Sequence, residues 1–456
     1  SMPGWPSGDC QWQSAVGIAG ARGIGNLVNL RNDRRELWLL VAILAVATVL
    51  RVGWPTLTEF KFSEARLQAL ALELTRGGHL PLVGVPSSAG FDHSPLSVYL
   101  YVPAFLLTSS PIPATIFGGL VNVAAVALCW WLGRRWAGGG RWAATISALL
   151  FAVSPWAVSF SRKIWQVAFV PLLALACVAL MISALVGEPT LDSSRRRRWH
   201  LTWALVALAV LLQVHPSAVA LALAAALWMV VFWRNVQLVP LLTGVAGGAL
   251  TTVPFTIHQI RNDWPVVSSL RAMPRATWDL SAVRLGWESI TGQGFPALAG
   301  QAFPWLKTVP TLEKVFPLVG WLAILGALGL GWETVTCWRA HDNARQQAAR
   351  VDLVLLSWLV IPIAFNLRHS LDLYLHFFAL IMPAAFLTLG RTVEAILGRW
   401  TAAWLKTLIL LVIGIVAAAQ LLALVLMARF VADHDTAGGF GTPLGHYLAT
   451  VEDVLA

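Results

Sequence analysis

Apolar runs near the roughly 20 residues that an α-helix needs to cross a bilayer recur along the whole chain. The segments between them are short or polar and contain arginine, glycine and proline. We predict about eleven transmembrane helices, at residues 37–52, 113–133, 142–157, 167–186, 201–214, 216–233, 237–257, 314–332, 352–367, 374–390 and 403–427. This repetition excludes a soluble domain that carries a single membrane anchor.

One further apolar run, SPLSVYLYVPAFLLTSS at residues 94–110, is interpreted differently. It is short, Pro103 interrupts it, and its tyrosines are typical of the membrane interface. If it crossed the membrane, every later loop would change sides and the arginine-rich loops would face outward. We therefore predict a helix at about 95–107 that lies on the outer leaflet.

A second interfacial helix is predicted within EFKFSEARLQALALELTRGG, residues 59–78. From Ser63 onward its apolar residues follow the i, i+3, i+4, i+7 spacing of an amphipathic helix. Ser63 is a suitable N-cap, Glu64 is a favourable acid for the first turn, and Gly77-Gly78 is a suitable end. With the helix at 95–107, it makes the first outer loop a structured platform.

The composition is that of an integral membrane protein. Of the 456 residues, 57% are hydrophobic and only 12% are charged, whereas soluble proteins average about 25% charged residues. The mean hydropathy is +0.70. The chain is therefore expected to reside almost entirely in the membrane.

The net charge of +10 is compatible with nucleic-acid binding, but the distribution of the arginines favours another explanation. They lie in blocks beside alternate apolar runs: Arg31, Arg34 and Arg35; Arg134, Arg135 and Arg141; Arg195 to Arg198; Arg234; Arg339, Arg345 and Arg350; Arg391 and Arg399. Positive residues collect on the cytoplasmic side of membrane proteins. The pattern thus predicts an N-terminus inside and a C-terminus outside, with no nucleic-acid partner.

This topology predicts the organisation of the chain. It comprises a cytoplasmic segment 1–36, a transmembrane domain 37–428 and a short extracytoplasmic segment 429–456. The outer loops of the transmembrane domain are residues 53–112, 158–166 and 258–313.

Ionisable residues gather in the predicted outer loops, whereas a transporter would place some of them near the middle of its spans. The longest outer loop contains Arg261, Arg271, Arg275, Arg284 and Glu288. Its arginines oppose the usual charge distribution. This asymmetry favours an enzyme that acts at the membrane surface on a lipid-borne substrate.

Several motifs occur in an order that resembles one family of glycosyltransferases. They are FSEAR (62–66), DHSPLSVYL (92–100), SPWAVSFSRKIWQ (154–166), QVHPSA (213–218) and YLHFFALIMPAAF (374–386). The chain resembles the GT-C glycosyltransferases, in particular the branch with bacterial protein O-mannosyltransferases and lipid A aminoarabinose transferases. Each motif alone is weak, and the resemblance depends on their order and sidedness over most of the chain.

The resemblance implies an all-α integral membrane protein with juxtamembrane helices in its first extracytoplasmic loop, located in a bacterial inner membrane. It also implies a polyprenyl-phosphate sugar as donor and inversion of the anomeric centre. Such a transfer needs a base for the acceptor hydroxyl, cations for the leaving phosphate, and a groove for the polyprenyl tail.

Two catalytic positions differ from the family pattern. The family has an Asp-Glu pair where this chain has Ser63-Glu64, and a second acid where this chain has Ala168. The candidates for the base are therefore Glu64, Glu59 and Asp92. The alternative for Glu64 is a helix-dipole acid, and for the other two a solvated loop acid.

Arg162 and Lys163 are the main candidates for binding the donor phosphate, because they are adjacent and lie on the predicted outer side. The alternative is that they snorkel toward lipid headgroups. The resemblance adds further donor-binding candidates, which are Tyr374, His376, Arg66 and His93, and also His215. A single histidine at such a position is more often a polar packing group.

No set of residues has metal-ligand spacing, so no cofactor is predicted, although a divalent metal is left open. The expected partners are a polyprenyl-phosphate sugar donor, membrane lipids, and an acceptor that is left open between protein, glycolipid and cell-wall polymer. Two alternatives to the enzyme remain. One is a catalytically impaired relative that binds lipid-linked sugar, and the other is a transporter of lipid-linked sugar.

Overall fold

The structure is a computed structural model that describes residues 34–87, 90–136, 140–187, 193–338, 342–399 and 402–455. For residues 193–198 and 455 only the backbone is described. The predicted cytoplasmic segment 1–36 therefore lies outside the described residues, except for residues 34–36. The predicted inner arginines Arg31 and Arg339, and the side chains of Arg195 to Arg198, also lie outside them.

Helices make up almost all regular structure in the described residues. The α-helices are α1 (Arg34–Val52), α2 (Phe62–Gly77), α3 (Leu96–Phe105), α4 (Ile112–Arg135), α5 (Arg141–Val153), α6 (Pro155–Ser161), α7 (Val170–Leu185), α8 (Ser193–Val214), α9 (Ala218–Val231), α10 (Leu238–Thr251), α11 (Val253–Arg261), α12 (Pro265–Ala272), α13 (Ser281–Thr291), α14 (Val309–Glu313), α15 (Pro317–Cys337), α16 (Asn343–Phe365), α17 (Met382–Arg399), α18 (Ala403–Asp433) and α19 (Leu444–Leu455). Short 3-10 helices span Gln166–Phe169, Trp233–Asn235, Phe295–Trp305 and Leu375–Leu380. Strands β1 (Thr277–Trp278) and β2 (Arg368–His369) pair antiparallel.

Each predicted transmembrane segment coincides with helical structure. Within the described residues, the segments long and apolar enough to cross a bilayer are Ile112–Arg135, Gln166–Leu185, Val309–Cys337, Asn343–Phe365 and Ala403–Asp433. Two bent pairs of helices raise their number from five to seven if each pair is one span. The fold is therefore that of a multi-pass helical membrane protein, and the count of eleven crossings stays a prediction.

Three predicted crossings are not continuous helices, which corrects the sequence-based boundaries. The segment 142–157 bends by 62° between α5 and α6, and the segment 237–257 bends by 56° between α10 and α11. A proline follows each break, at a position where it can begin a helix but cannot continue the previous one. The segment 374–390 starts as a 3-10 helix, and α17 begins only at Met382.

The bend between α5 and α6 is stabilised by Arg51 of α1. Its guanidinium donates to the carbonyl of Phe151 over 2.8 Å and to that of Ala152 over 2.7 Å. Arg51 is fully buried, and these bonds satisfy carbonyls that the broken helix leaves unpaired in an apolar bundle. Arg51 therefore fixes α1 to the bend.

The centre of the bundle consists of α1, α4, α5 and α17, and α7, α8 and α10 continue the packing outward from α4. Small residues allow the closest helix approaches. A Cβ atom on Gly119, Gly133 or Gly390 would lie less than 3 Å from atoms of the neighbouring helix. These glycines therefore set the spacing of the central helices.

The two ends of the bundle differ in their contacts. At the end where α1 begins, called the closed end here, Glu36 lies 2.7 Å from Arg134, and Asp352 lies 3.3 Å from Arg391. The carboxylate of Glu394 accepts backbone N–H bonds at the start of α5, which suits the positive end of a helix. These three acids at the closed end are thus paired with an arginine or with a helix start.

The opposite end, called the loop face here, brings together segments that are distant in sequence. The N–H of Leu444 donates to the carbonyl of Thr58 over 2.9 Å, and the N–H of Phe440 donates to that of Leu298 over 2.8 Å. The backbone of Glu59 also pairs with that of Pro443. These bonds join the first predicted outer loop, the long predicted outer loop and the segment after α18 at one end of the bundle.

Candidate functional site

The start of α2 differs from the prediction. The helix begins at Phe62 and its N-cap is Lys61, so the prediction of Ser63 as N-cap was wrong. Glu64 replaces the expected hydroxyl, because its Oε2 accepts the N–H of Lys61 over 3.0 Å and satisfies a donor that has no helical partner. The predicted end is confirmed, since Gly78 adopts the left-handed conformation with a φ of 67°.

Glu64 is buried, with only 3% of its surface exposed. Burial raises the pKa of the Glu64 carboxyl above its ordinary value, and the nearby Lys163 ammonium partly opposes this. The neighbouring carboxylate of Glu59 raises the pKa further. Glu64 is therefore a better proton acceptor than an exposed glutamate.

Glu59, just before α2, is also buried and has two lysine partners. Its Oε2 forms a close ion pair with Lys163 Nζ, and its Oε1 lies 2.5 Å from Lys61 Nζ. Lys61 is half exposed and also donates to the carbonyl of Gly439 over 3.0 Å. An ammonium group has three donors, so the bond to Glu59 leaves Lys163 with capacity for another anion.

Lys163 connects the two glutamates with a group of rings. Its Nζ lies 4.8 Å from the ring centroid of Trp165, a cation–π distance. The Trp165 ring is 5.1 Å from that of His376, and His376 lies close enough to Lys163 for their charges to interact. One cation therefore faces two carboxylates, an indole and an imidazole.

Further histidines pack around His376. The ring of His215 is 5.4 Å from that of His376, and Tyr374 stacks on His376 at 5.6 Å. His93 lies close enough to both His215 and His376 to interact electrostatically. His215 Nδ1 accepts the N–H of Ser217 over 3.2 Å, which places the proton of a neutral His215 ring on Nε2.

Residues from five segments thus form one group, called the site cluster here. Its members are Glu59, Glu64, Lys163, His93, His215 and His376. All of them were named from the sequence, but their proximity was not predictable from it.

Arg162 makes a different set of contacts from Lys163. Its Nη1 donates to the carbonyls of Leu50 and Gly53, and its Nη2 donates to those of Trp54 and Leu57, over 2.7–2.9 Å. Burial lowers the pKa of Arg162 to about 10, so the group stays charged at neutral pH. Its bonds satisfy carbonyls at the end of α1 and hold the turn that carries Lys163.

An apolar groove of about 330 Å³ leads to Lys163. Its walls include Leu57, Val158, Phe295, Leu424, Met427 and Phe440. Glu59, Arg162 and Lys163 supply its polar side. The last turns of α18, a helix long enough to cross a bilayer, form one wall, so an apolar chain in the groove can run along α18.

The acidic segment at the start of α2 and the Arg162-Lys163 turn lie beside each other. The segment preceding α2 borders the groove through Glu59, whereas Glu64 is not among its lining residues. The reason is that Glu64 folds back to cap its own helix. Glu64 reaches the groove only through its interaction with Lys163.

Two sequence candidates lie elsewhere. Asp92 lines a separate, polar cavity of about 260 Å³ together with His258 and Gln259. Arg66 is exposed on α2 and does not line the groove. Tyr374 is 45% exposed and contacts the site cluster through His376.

Some groove residues were missed in the sequence analysis. Arg429 lies near the end of α18, is largely exposed and lines the groove. Arg429 follows the predicted end of the last crossing and lies on the predicted outer side. Positive residues are uncommon there, so its position was a signal of function. Phe440 carried no comparable signal, because tertiary contacts such as its backbone bond to Leu298 bring it to the groove.

The two positions that depart from the family pattern carry no acid. Ser63 is half-buried in the first turn of α2, and Ala168 is buried with its carbonyl accepting from Asn122 Nδ2 over 2.7 Å. Among the described residues, no group of three or more His, Cys, Asp or Glu side chains is arranged to hold a metal ion.

No protein-family profile and no curated protein sequence matches the chain. Among solved structures, the chain is similar to ArnT from Cupriavidus metallidurans bound to undecaprenyl phosphate, with a TM-score of 0.54 and 14% identity, over 90% of this chain and 76% of that chain. It is also similar to the archaeal oligosaccharyltransferase AglB from Archaeoglobus fulgidus, in complex with an inhibitory peptide and a dolichol-phosphate. There the TM-score is 0.52 and the identity 12%, over 90% of this chain and 56% of that chain.

At these identities the likeness concerns the fold alone. It confirms the resemblance inferred from the motifs, since both structures are GT-C glycosyltransferases. The chain has the GT-C fold, similar in structure to ArnT.

Proposed function

We propose that the protein is a membrane glycosyltransferase that transfers a sugar from a polyprenyl phosphate to an acceptor hydroxyl. The observation that carries this proposal is the position of Lys163. It lines the apolar groove and faces two buried carboxylates, Glu59 and Glu64. A polyprenyl-phosphate sugar has the matching order of parts, with an apolar tail, an anionic phosphate and a polar sugar.

In this proposal the groove binds the first part of the polyprenyl tail along α18, and Lys163 binds the phosphate. A volume of about 330 Å³ falls within the range of small-molecule sites, roughly 300–1,000 Å³. Arg429 supplies a second cation at the groove, because its only described ion-pair partner, Asp433, is 4.0 Å away. Arg162 positions Lys163 rather than binding phosphate itself, since both terminal nitrogens already donate to carbonyls.

Glu64 is the proposed base. Its raised pKa brings the carboxyl closer to neutral pH, where a base is most effective. Glu59 is less suitable because each of its oxygens already faces a lysine. Asp92 is less suitable because it lines the separate polar cavity. Both become the candidates for the base if Glu64→Gln keeps its activity.

The transfer is a single displacement. The acceptor hydroxyl gives its proton to Glu64, and its oxygen forms a bond to the anomeric carbon. The bond between that carbon and the phosphate oxygen breaks, and its electron pair leaves with the polyprenyl phosphate. Lys163 stabilises the charge that develops on the phosphate. Attack on the face opposite the leaving group inverts the anomeric centre.

The remaining assignments belong to the same proposal. Tyr374, His376 and His93 contact the sugar-phosphate head of the donor, and Arg66 approaches it only if the donor extends over α2. The acceptor is a protein, a glycolipid or a cell-wall polymer, and the chain acts in a bacterial inner membrane with the loop face outside. The predicted organisation into segments 1–36, 37–428 and 429–456 fits this arrangement. A divalent metal is not required by the proposed step.

A second candidate function is a catalytically impaired protein that binds lipid-linked sugar. The replacement of two family acids by Ser63 and Ala168 favours it. In that case the groove and Lys163 still bind polyprenyl phosphate, but no sugar leaves it.

One experiment separates the two candidates. The purified full chain in lipid nanodiscs is incubated with a panel of labelled polyprenyl-phosphate sugars, with and without acceptors, and release of polyprenyl phosphate is measured. The enzyme proposal predicts release by the natural protein and by Glu73→Gln, an exposed acid on the same helix, but not by Glu64→Gln. Binding of the donor without release by any variant would support the impaired binder instead.

A further inference from the structure

Three arginines on the loop face, Arg271, Arg275 and Arg368, form what we call the arginine patch. All three are exposed. None has an ion pair or a side-chain hydrogen bond to another described residue. Positive residues are disfavoured on the predicted outer side, so their presence there indicates a function.

Backbone pairing brings the three arginines together although Arg368 is distant in sequence. In the β1–β2 ladder, Trp278 is opposite Arg368 and Thr277 is opposite His369. The hydroxyl of Ser370 contacts Sδ of Met273, between Arg271 and Arg275, at 3.8 Å. The end of α12, the segment that follows it and β2 therefore lie side by side, and each carries one of the exposed arginines.

The acids of this region do not neutralise the patch. The carboxylate of Asp279 already has other partners. It accepts the N–H of Ser281 over 2.7 Å and lies 3.0 Å from His369 Nε2. The hydrogen bond from the Ser281 hydroxyl has the largest effect, and together these bonds lower the pKa of Asp279 to about 2. Asp372 is exposed and forms no ion pair with Arg368 among the described residues.

Apolar side chains surround the arginines and are also exposed. The exposed fractions are 52% for Leu270, 72% for Trp278 and 74% for Leu280. Leucine and tryptophan beside arginine are typical of segments that lie at a lipid headgroup boundary. The surroundings thus favour a lipid over a free, soluble anion.

The backbone before α12 is strained in a way that fixes this surface. Asp263 and Trp264 have φ values of 54° and 57°, which non-glycine residues rarely adopt. The strain is held by buried Gln259, whose carbonyl accepts from Trp264 over 2.8 Å and whose Oε1 accepts from Val266 over 3.2 Å. The orientation of α12, and with it Arg271, is therefore built into the fold.

We propose that the arginine patch binds the phosphate of an anionic lipid in the leaflet that adjoins the loop face. Arginine suits this partner because its planar fork donates two hydrogen bonds to phosphate oxygens and stays charged. The adjacent Leu270, Trp278 and Leu280 contact the upper part of the acyl chains. This binding does not depend on sugar transfer, so it stands if the transferase proposal fails.

The test uses the full chain in nanodiscs of phosphatidylcholine with increasing phosphatidylglycerol, and native mass spectrometry counts the retained anionic lipids. The variant is Arg271→Gln/Arg275→Gln/Arg368→Gln. Its matched control, Arg76→Gln/Lys307→Gln/Lys314→Gln, removes the same charge from exposed positions of predicted outer loops and the segment beside them. We expect the patch variant to bind phosphatidylglycerol on the order of 100-fold more weakly at low salt, and the control to match the natural protein.

Equal retention by the natural protein and the patch variant would overturn the proposal, and so would an equal loss in the control. Complete competition by inorganic phosphate would assign the patch to a free anion and would also overturn it. If the patch variant does not fold, titration of the natural protein decides. We expect retention of phosphatidylglycerol to fall steeply with salt, and retention that does not change with salt would contradict the proposal.

Discussion

The closed end and the loop face of the bundle use buried charge in different ways. At the closed end, Asp352 pairs with Arg391 and Glu36 pairs with Arg134. At the loop face, a single lysine, Lys163, faces Glu59, Glu64 and His376. Both ends thus contain buried charge, but only the cation of the loop face, Lys163, lines the apolar groove.

This difference distinguishes charge that stabilises a bundle from charge that is available to a ligand. The ion pairs of the closed end do not line the groove, so their loss should lower stability without affecting ligand binding. Lys163 keeps N–H donors that a ligand can use. Burial of the acids beside it disfavours their charged forms. Substitutions in the site cluster should therefore affect function more than stability, and the reverse should hold for the ion pairs of the closed end.

The largest expected effect is that of Glu64→Gln on turnover. The amide oxygen keeps the bond to the Lys61 N–H but cannot accept a proton from the acceptor. We expect turnover to fall by roughly 10²- to 10⁴-fold while donor binding persists, as measured by release and by equilibrium binding of labelled donor. Unchanged turnover would remove Glu64 from the base role and leave Glu59 and Asp92.

The pH dependence of turnover also tests the proposed role of Glu64 as the base. Because the folded-state pKa of Glu64 is raised above its ordinary 4.5, turnover should fall on the acid side at a pH above 4.5. The raised pKa also means that Glu64 favours folding below its unfolded pKa and that this contribution is lost as pH rises through the folded pKa. At neutral pH, the unfolding temperature of Glu64→Gln should therefore be equal to or higher than that of the natural protein. In acid, where Glu64 is protonated, the variant should no longer be the more stable of the two.

The next effect concerns the closed end. Asp352→Asn removes the ion-pair partner of the buried Arg391 and leaves it only the weaker charge interactions with Glu333 and Glu394, and we expect a loss of about 3–5 kcal/mol in the free energy of unfolding. Donor affinity of the remaining folded protein should be unchanged. Thermal unfolding in detergent and donor binding check both parts. The double variant Asp352→Leu/Arg391→Met serves as control and should recover most of the stability, and failure to do so would contradict the pairing.

A smaller effect is expected for Arg162→Lys, which keeps the charge but loses the fork that donates to four carbonyls. We expect the free energy of unfolding to fall by roughly 2–3 kcal/mol. Polyprenyl-phosphate affinity should fall less than it does in Lys163→Gln. A variant that is fully stable but no longer binds polyprenyl phosphate would assign Arg162 to the phosphate.

The smallest effect is expected for Lys61→Gln, because Lys61 is half exposed and shares Glu59 with Lys163. Exposed ion pairs contribute about 1 kcal/mol or less, so stability and turnover should both stay near those of the natural protein. A loss of turnover as large as that of Lys163→Gln would mean that the two lysines are equivalent, which would contradict the special position of Lys163.

The sequence predicted the helices better than their breaks. Apolar runs gave the positions of the helical segments, because burial in lipid demands long apolar stretches regardless of the rest of the fold. The bend after α5 depends on Arg51, which lies about a hundred positions earlier in the chain and supplies the missing bonds. Its contribution is a tertiary contact that local patterns do not contain.

The candidate site was only partly predictable, because it also depends on tertiary contacts. Motif resemblance named Glu64, Lys163 and His376 separately, but only the packing of five segments brings them together. The sequence also could not distinguish Arg162 from Lys163. The two are adjacent, yet one donates to the end of α1 and the other faces the groove.

The most direct test of the account is an experimental structure of the full chain in lipid nanodiscs with undecaprenyl phosphate. We predict that the lipid tail lies against the last turns of α18 in the apolar groove and that a phosphate oxygen lies within hydrogen-bonding distance of Lys163 Nζ. Phosphate density at another place on the loop face, with Lys163 still bound only to Glu59, would contradict the central role of Lys163.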